Sequence, residues 1–242
     1  MQEAFKKVNP VQKRAIDHVF DVYFNVVAAN MTYEGGWVPD SQIAAQMDVL
    51  NKGYAGTGIQ FKHMDTIRIL SSYYFNTLNV PDTSDLTQIL YTYGQLFRKG
   101  GQSTMNINLI GFSADDDTYG FTLLPSLYAT YAPIDGLYVR FTSLPGGSSP
   151  DRQGSTVIHE SGHWFGLLHT FENGCDGDGD GVDDTPAEAE PASGCPVNRD
   201  TCPQAGLDPI HNYMDYSAEG CRNSFTAGQI DRMHSAISVY RS

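Results

Sequence analysis

The chain reads as a mixed α/β (α+β) fold in two lobes, on three observations. Stretches rich in β-branched and aromatic residues alternate with amphipathic helical stretches as far as residue 168, the pattern of helices packed on a twisted sheet. From 170 to 224 the texture turns to Gly, Pro and Asp and holds all four Cys (175, 195, 202 and 221), too few periodic apolar residues to close a core by burial alone. A helix then ends the chain. At 242 residues this is one domain of two subdomains, 1–168 above and 169–242 below, with a cleft expected between them.

In order, residues 1–18 are polar and expected at the periphery. Val19 to Ala29 reads as a buried strand, and Gly35-Gly36 as a turn. Pro39-Asp40-Ser41 opens a helix capped by Asp40 or Ser41, with Ile43, Met47 and Leu50 on its apolar face and Gly53 as its stop. Ile59 to Leu70 is a second strand. His63 within it, like His18 and His234, is expected as a hydrogen-bonded structural residue. Thr83 or Ser84 caps a helix reaching about Phe97, and Met105 to Gly111 forms a third strand. Tyr119 to Leu124 and Leu137 to Thr142 are two more. Gly146 to Arg152 is a loop, and a helix follows from about Gln153 to Leu167. Thr226 caps the last helix, Gln229 completes a capping box, and Ile230, Met233 and Ile237 face inward.

The chemistry concentrates in the stretch from His159 to His169. His159 and His163 are four apart, so on a helix their imidazoles lie one turn apart on one face and can hold one metal. Glu160, one step round, can take a proton from a water there without being a ligand. Gly166 can adopt the left-handed conformation that ends a helix, bringing His169 in as a third ligand. Three imidazoles with an open fourth position describe a catalytic zinc site rather than a structural one. The bland alternative is a solvated helical face.

A net charge of −13 argues against nucleic acid as a partner. No apolar run approaches the length of a membrane span. The opening MQEAFKKVNP lacks the apolar core of a signal peptide, so either a cytosolic protein or a processed form is expected. None of the cysteines shows the close spacing of a zinc site. Two disulfides are the better account, implying an oxidising compartment and leaving three pairings open. Asn30-Met31-Thr32 is a glycosylation sequon compatible with secretion. Oligomeric state is not legible.

Cys175 to Asp184 is acidic and Gly-rich, suited to oxygen coordination of a hard cation or to a solvated loop. It begins like an EF-hand, but position twelve from Asp176 is Ala187, not Glu, and flanking helices are not expected.

The stretch His159–His169 has the metzincin form H-E-x-x-H-x-x-G-x-x-H, and His211-Asn212-Tyr213-Met214-Asp215-Tyr216 resembles the metzincin Met-turn. His169-Thr170-Phe171-Glu172, Asp184-Thr185-Pro186-Ala187-Glu188 and Asp200-Thr201-Cys202-Pro203 resemble signatures of the pappalysin family, including its secreted fungal and microbial members. The resemblance runs from about residue 20 to the C-terminus and is densest over 137–230. It implies a secreted zinc endopeptidase with a two-lobed catalytic domain: a twisted five-stranded upper sheet with active-site and backing helices, above an irregular disulfide-bonded lower lobe ending in a helix. By that likeness His159, His163 and His169 bind one zinc, Glu160 is general base and acid, Tyr216 stabilises the tetrahedral intermediate, and Met214 is a structural filler under the ligands. The strand near Phe121–Leu124 resembles the upper-rim edge strand against which metzincin substrates lie antiparallel, which implies an extended polypeptide substrate. Glu219, just past Tyr216, is read either as a buried carboxylate at the floor of the downstream pocket, favouring Arg or Lys after the cut, or as a merely exposed Glu. The likeness also implies one or two structural calcium ions, with Asp180, the Val182 carbonyl, Thr185 and Glu190 contributing, and the pairings Cys175–Cys202 and Cys195–Cys221. The rival from another class is a secreted, metal-stabilised binding module without catalysis; intact Glu160 and His169 favour the enzyme.

Overall fold

Side-chain alternation along the inner strands sets the layers. In the computed structural model, which describes residues 17–79, 84–112, 117–149 and 152–242, strand β1 (His18–Ala28) sends Phe20, Val22, Phe24 and Val26 into one core and Val27 into a second. Strand β3 (Thr104–Ile110) divides Leu109 from Ile110 in the same way. From Phe24 along β1 and from Met105 along β3 the residues are buried on both faces, because helices cover both.

The first face carries α1 (Asp40–Gly53), and the following strand β2 (Ile59–Leu70) lies along an edge of the sheet. The second face carries α2 (Ser72–Thr77) and α3 (Ser84–Phe97), through Leu78, Leu90 and Tyr93. Strand β4 (Gly120–Thr122), the short helix α4 (Tyr128–Tyr131) and strand β5 (Leu137–Arg140) complete the sheet region. Helix α5 (Ser155–Trp164) follows, and α6 (Ala227–Tyr240) is the last helix. The five strands are ordered β2-β1-β3-β5-β4, all parallel except β4, the antiparallel edge.

Several boundaries differ from the sequence reading. Asp40 does not cap α1. Pro39 holds the cap position without a side-chain bond, and the Asp40 carboxylate pairs with Arg68 instead, at 2.6 Å. Ser84 is already helical, and Thr83, like residues 1–16, lies outside the described residues. Helix α2 was not expected; Ser71 caps it by accepting from the Tyr74 amide at 3.2 Å. Strand β4 stops at Thr122, because Leu124 leads into the 3-10 turn Pro125–Leu127. Strand β5 stops at Arg140, where a second 3-10 turn, Phe141–Ser143, begins.

Between α5 and α6 the described chain forms no named helix or strand. It is held by the interleaved disulfides Cys175–Cys202 and Cys195–Cys221, with Cα–Cα distances of 5.4 and 5.6 Å. The two lobes are also tied at the end of α5. Asp135 accepts from Trp164 Nε1 at 3.1 Å and pairs with Arg98 and Arg241, each at 2.9 Å. His63 and His234 are structural, bonded to Thr66 and to the Thr57 carbonyl.

Candidate active site

Helix α5 is positioned at both ends. At its C-terminus Gly166 takes φ 90°, the Gly166 amide donates to His163 O and the Leu167 amide to Gly162 O. This Schellman closure reverses the chain and returns His169 to the helix. Below, Met214 is fully buried. Gly162 makes room for it, since a Cβ there would lie 2.4 Å from the Met214 Sδ. At the N-terminus the Glu219 carboxylate accepts from the backbone amides of Gln153 and Ser155, an anion at the positive end of the helix.

The three histidines converge. His163 Nε2 lies 3.2 Å from His159 Nε2 and 3.1 Å from His169 Nε2. His159 Nδ1 donates to Tyr213 O and His163 Nδ1 to Leu167 O, both at 2.8 Å. A carbonyl can only accept, so these contacts fix the protons on Nδ1 and leave the Nε2 lone pairs facing the common point. Burial, then the neighbouring His163 and His169, lowers His159 well below its ordinary pKa. Burial also brings His163 to about 4 and His169 to about 3. Neutral imidazoles with converging lone pairs are the donor set of a divalent cation. Zinc–nitrogen bonds of about 2.0–2.1 Å in a tetrahedron set two nitrogens about 3.3 Å apart, so the residues fit zinc.

Glu160 is 5% exposed, and burial raises its carboxyl to about 8 against the pull of the Arg222 guanidinium. A Cβ at Gly120 would lie 2.8 Å from Glu160 Oε1, so strand β4 passes directly over this carboxyl. The Tyr216 hydroxyl is 3.1 Å from His169 Nε2, and its half-exposed ring packs on His169 and Phe171. Glu160, His159 and Tyr216 line one cavity of about 360 Å³ with Thr156, Arg152 and Arg222.

Glu219 is not among the residues that line this cavity; its carboxylate is bonded to the start of α5. Phe121 stacks its ring on Tyr138 at 4.8 Å, and Leu124 lies beyond the strand, at the start of the 3-10 turn. Arg222 is the site residue that sequence reading missed. It follows Cys221 with no periodic context, and nothing in the sequence marks it as buried.

In the lower lobe Asp180, Val182 and Thr185 line a second cavity, of about 840 Å³. Asp180 Oδ2 and Thr185 Oγ1 are buried there without a hydrogen-bond partner. Burial raises the Asp180 carboxyl to about 6. Glu190, expected beside them, does not line this cavity; it is exposed, 3.8 Å from Arg199.

Residues 136–238 match the peptidase family model described as pregnancy-associated plasma protein-A. The chain is 40% identical to extracellular metalloprotease 1 of Coccidioides posadasii, covering 92% of itself and 78% of that protein. It is 41% identical to an extracellular metalloprotease of Sordaria macrospora, covering 100% of itself and 82% of the relative. Mature mirolysin of Tannerella forsythia, solved in complex with a cleaved peptide, is similar at a TM-score of 0.75 and 24% identity, over 92% of each chain. Promirolysin is similar at 0.77 and 23%, over 96% of this chain and 85% of that one. At that identity the likeness is one of fold. Among the described residues no helix is long and apolar enough to cross a membrane.

Proposed function

The chain belongs to the pregnancy-associated plasma protein-A (pappalysin) family of metalloproteases, and from that premise we propose that it is a secreted endopeptidase that hydrolyses internal peptide bonds. The observation that carries this reading is the convergence of three Nε2 atoms beside a buried carboxyl, in a cavity passed by the edge strand β4.

His159, His163 and His169 would hold one zinc ion, their rings oriented by the Tyr213 and Leu167 carbonyls. When bound, zinc stabilises negative charge on oxygen and lets water lose a proton near neutral pH. Glu160 accepts that proton as the water attacks the scissile carbonyl, then delivers it to the departing amine. Burial makes the carboxyl a good proton holder, and Arg222 keeps its anionic form within reach. The Tyr216 hydroxyl donates to the oxyanion that develops. The outer edge of Gly120–Thr122 offers main-chain hydrogen bonds to an extended substrate, and Gly120 lets that backbone pass over Glu160. Met214 packs beneath the histidine-bearing helix at Gly162. In the lower lobe, Asp180, the Val182 carbonyl and Thr185 form a calcium site in which the cation would meet the unpartnered buried oxygens.

Metal analysis with casein digestion tests the reading. The purified protein should contain one zinc per chain, and a chelator should abolish digestion. Glu160→Gln should keep the zinc and lose about 10²-fold or more in kcat. Undiminished digestion by that variant would end the assignment.

A further inference from the structure

Arg222 is an unusual guest in the cavity beside Glu160. It is 6% exposed, yet lines that cavity. Nη1 is tied back to the Asp215 carbonyl at 3.1 Å, whereas Nε and Nη2 are buried with no hydrogen-bond partner. Those two nitrogens are the side-on fork of a guanidinium, the edge that grips a carboxylate with two parallel bonds. Two buried donors without a protein acceptor favour a ligand group that can accept from both.

The other charges nearby do not satisfy the fork. Glu219 comes within 4.0 Å of Nη2, beyond hydrogen-bond reach, and spends its oxygens on the Gln153 and Ser155 amides and the Thr156 hydroxyl. Glu160 lines the same cavity as the carboxyl reserved for proton transfer. Asp117 is exposed at the lip. Arg152 adds a second cation to the wall, its guanidinium 3.9 Å from the Tyr119 ring centroid.

We propose that Arg222, seconded by Arg152, makes this cavity the subsite for a substrate side chain bearing a carboxylate, so that the protein cleaves beside Asp or Glu. This deepens the proteolytic reading and rests on it. A neutral acceptor, such as an amide oxygen, would meet one donor of the fork and leave the other unpaired, whereas a carboxylate meets both. Lys or Arg would bring a like charge against a buried cation.

Digestion of a proteome-derived peptide library, followed by kinetics on peptide pairs that differ only as Asp or Asn at the selected position, tests this. Wild type should enrich Asp and Glu at one position flanking the cut, and favour the Asp peptide by about tenfold in kcat/KM. Arg222→Gln should bring the Asp-to-Asn ratio to about one, and Arg222→Lys should keep part of it. Because Arg222 is buried, Arg152→Gln at the more exposed second cation is the companion variant, expected to lower the same ratio by a smaller factor. An unchanged ratio in Arg222→Gln, or enrichment of basic or apolar residues in wild type, overturns the inference. Failure to digest the library at all overturns the proteolytic reading with it, whereas digestion without acidic preference overturns this inference alone.

Discussion

Tyr216 is half-exposed, and its hydroxyl touches a histidine nitrogen rather than a packed neighbour, at 3.1 Å from His169 Nε2. Its ring already has a structural occupation against His169 and Phe171, so the hydroxyl and the ring can be separated by experiment. Tyr216→Phe keeps the packing and removes only the donor. If the donor acts on charge that develops during the reaction, kcat should fall about 10²-fold with KM little changed and zinc content retained. A KM effect with kcat intact would instead make Tyr216 a ground-state contact. The convergence of the three histidines is legible because it is written in spacing: four residues for one helical turn and a glycine for the reversal. Arg222 was not legible, because what distinguishes it is burial, and burial of a lone arginine is set by the chain folded over it.

At the scale of elements, the end of the chain was read closely and the middle less so. Helix α6 begins at the predicted cap, with Thr226 and Gln229 bonded reciprocally as a capping box. Two residue types at a fixed offset suffice for that, since the bonds are local. Strand β4 was overread, because Leu123 and Leu124 extend its apolar run while Pro125 commits the backbone to a 3-10 turn. Helix α2 was missed, since six residues are too few to display a helical period. The capping box has a second use that the sequence did not disclose. The Gln229 side chain exchanges hydrogen bonds with Asn212, whose Oδ1 also accepts from the Met214 amide at 2.9 Å. The start of α6 therefore supports the turn beneath the three converging histidines. Thr226→Ala should cost about 1 kcal/mol in urea unfolding. Asn212→Ala should cost more, about 1–3 kcal/mol, because it strands buried partners in the Met214 turn, and it alone should lower activity. Equal losses of stability would mean that the amide pair adds nothing beyond the cap.

Across the whole molecule, an upper lobe built on burial is joined to a lower lobe built on crosslinks, and the buried histidines and buried carboxyls respond to pH in opposite directions. In the zinc-depleted protein the histidines lie below their ordinary values, at about 4 for His163 and about 3 for His169. The unfolded chain takes up these protons first, so their contribution weakens as pH falls below about 6.5. Asp180 has the opposite sign. Burial raises its folded value from 3.8 to about 6, so its contribution is complete below the unfolded value and is lost as pH rises through about 6. A calcium ion on Asp180, Val182 and Thr185 would reverse that loss by favouring the carboxylate. The gain in Tm on adding calcium should therefore be larger at pH 7 than at pH 5, where protons compete for Asp180. Asp180→Asn removes the titrating group, so it should abolish the pH dependence of the calcium gain and most of the gain itself. A calcium gain of the same size in Asp180→Asn and wild type, at both pH values, would place the ion elsewhere.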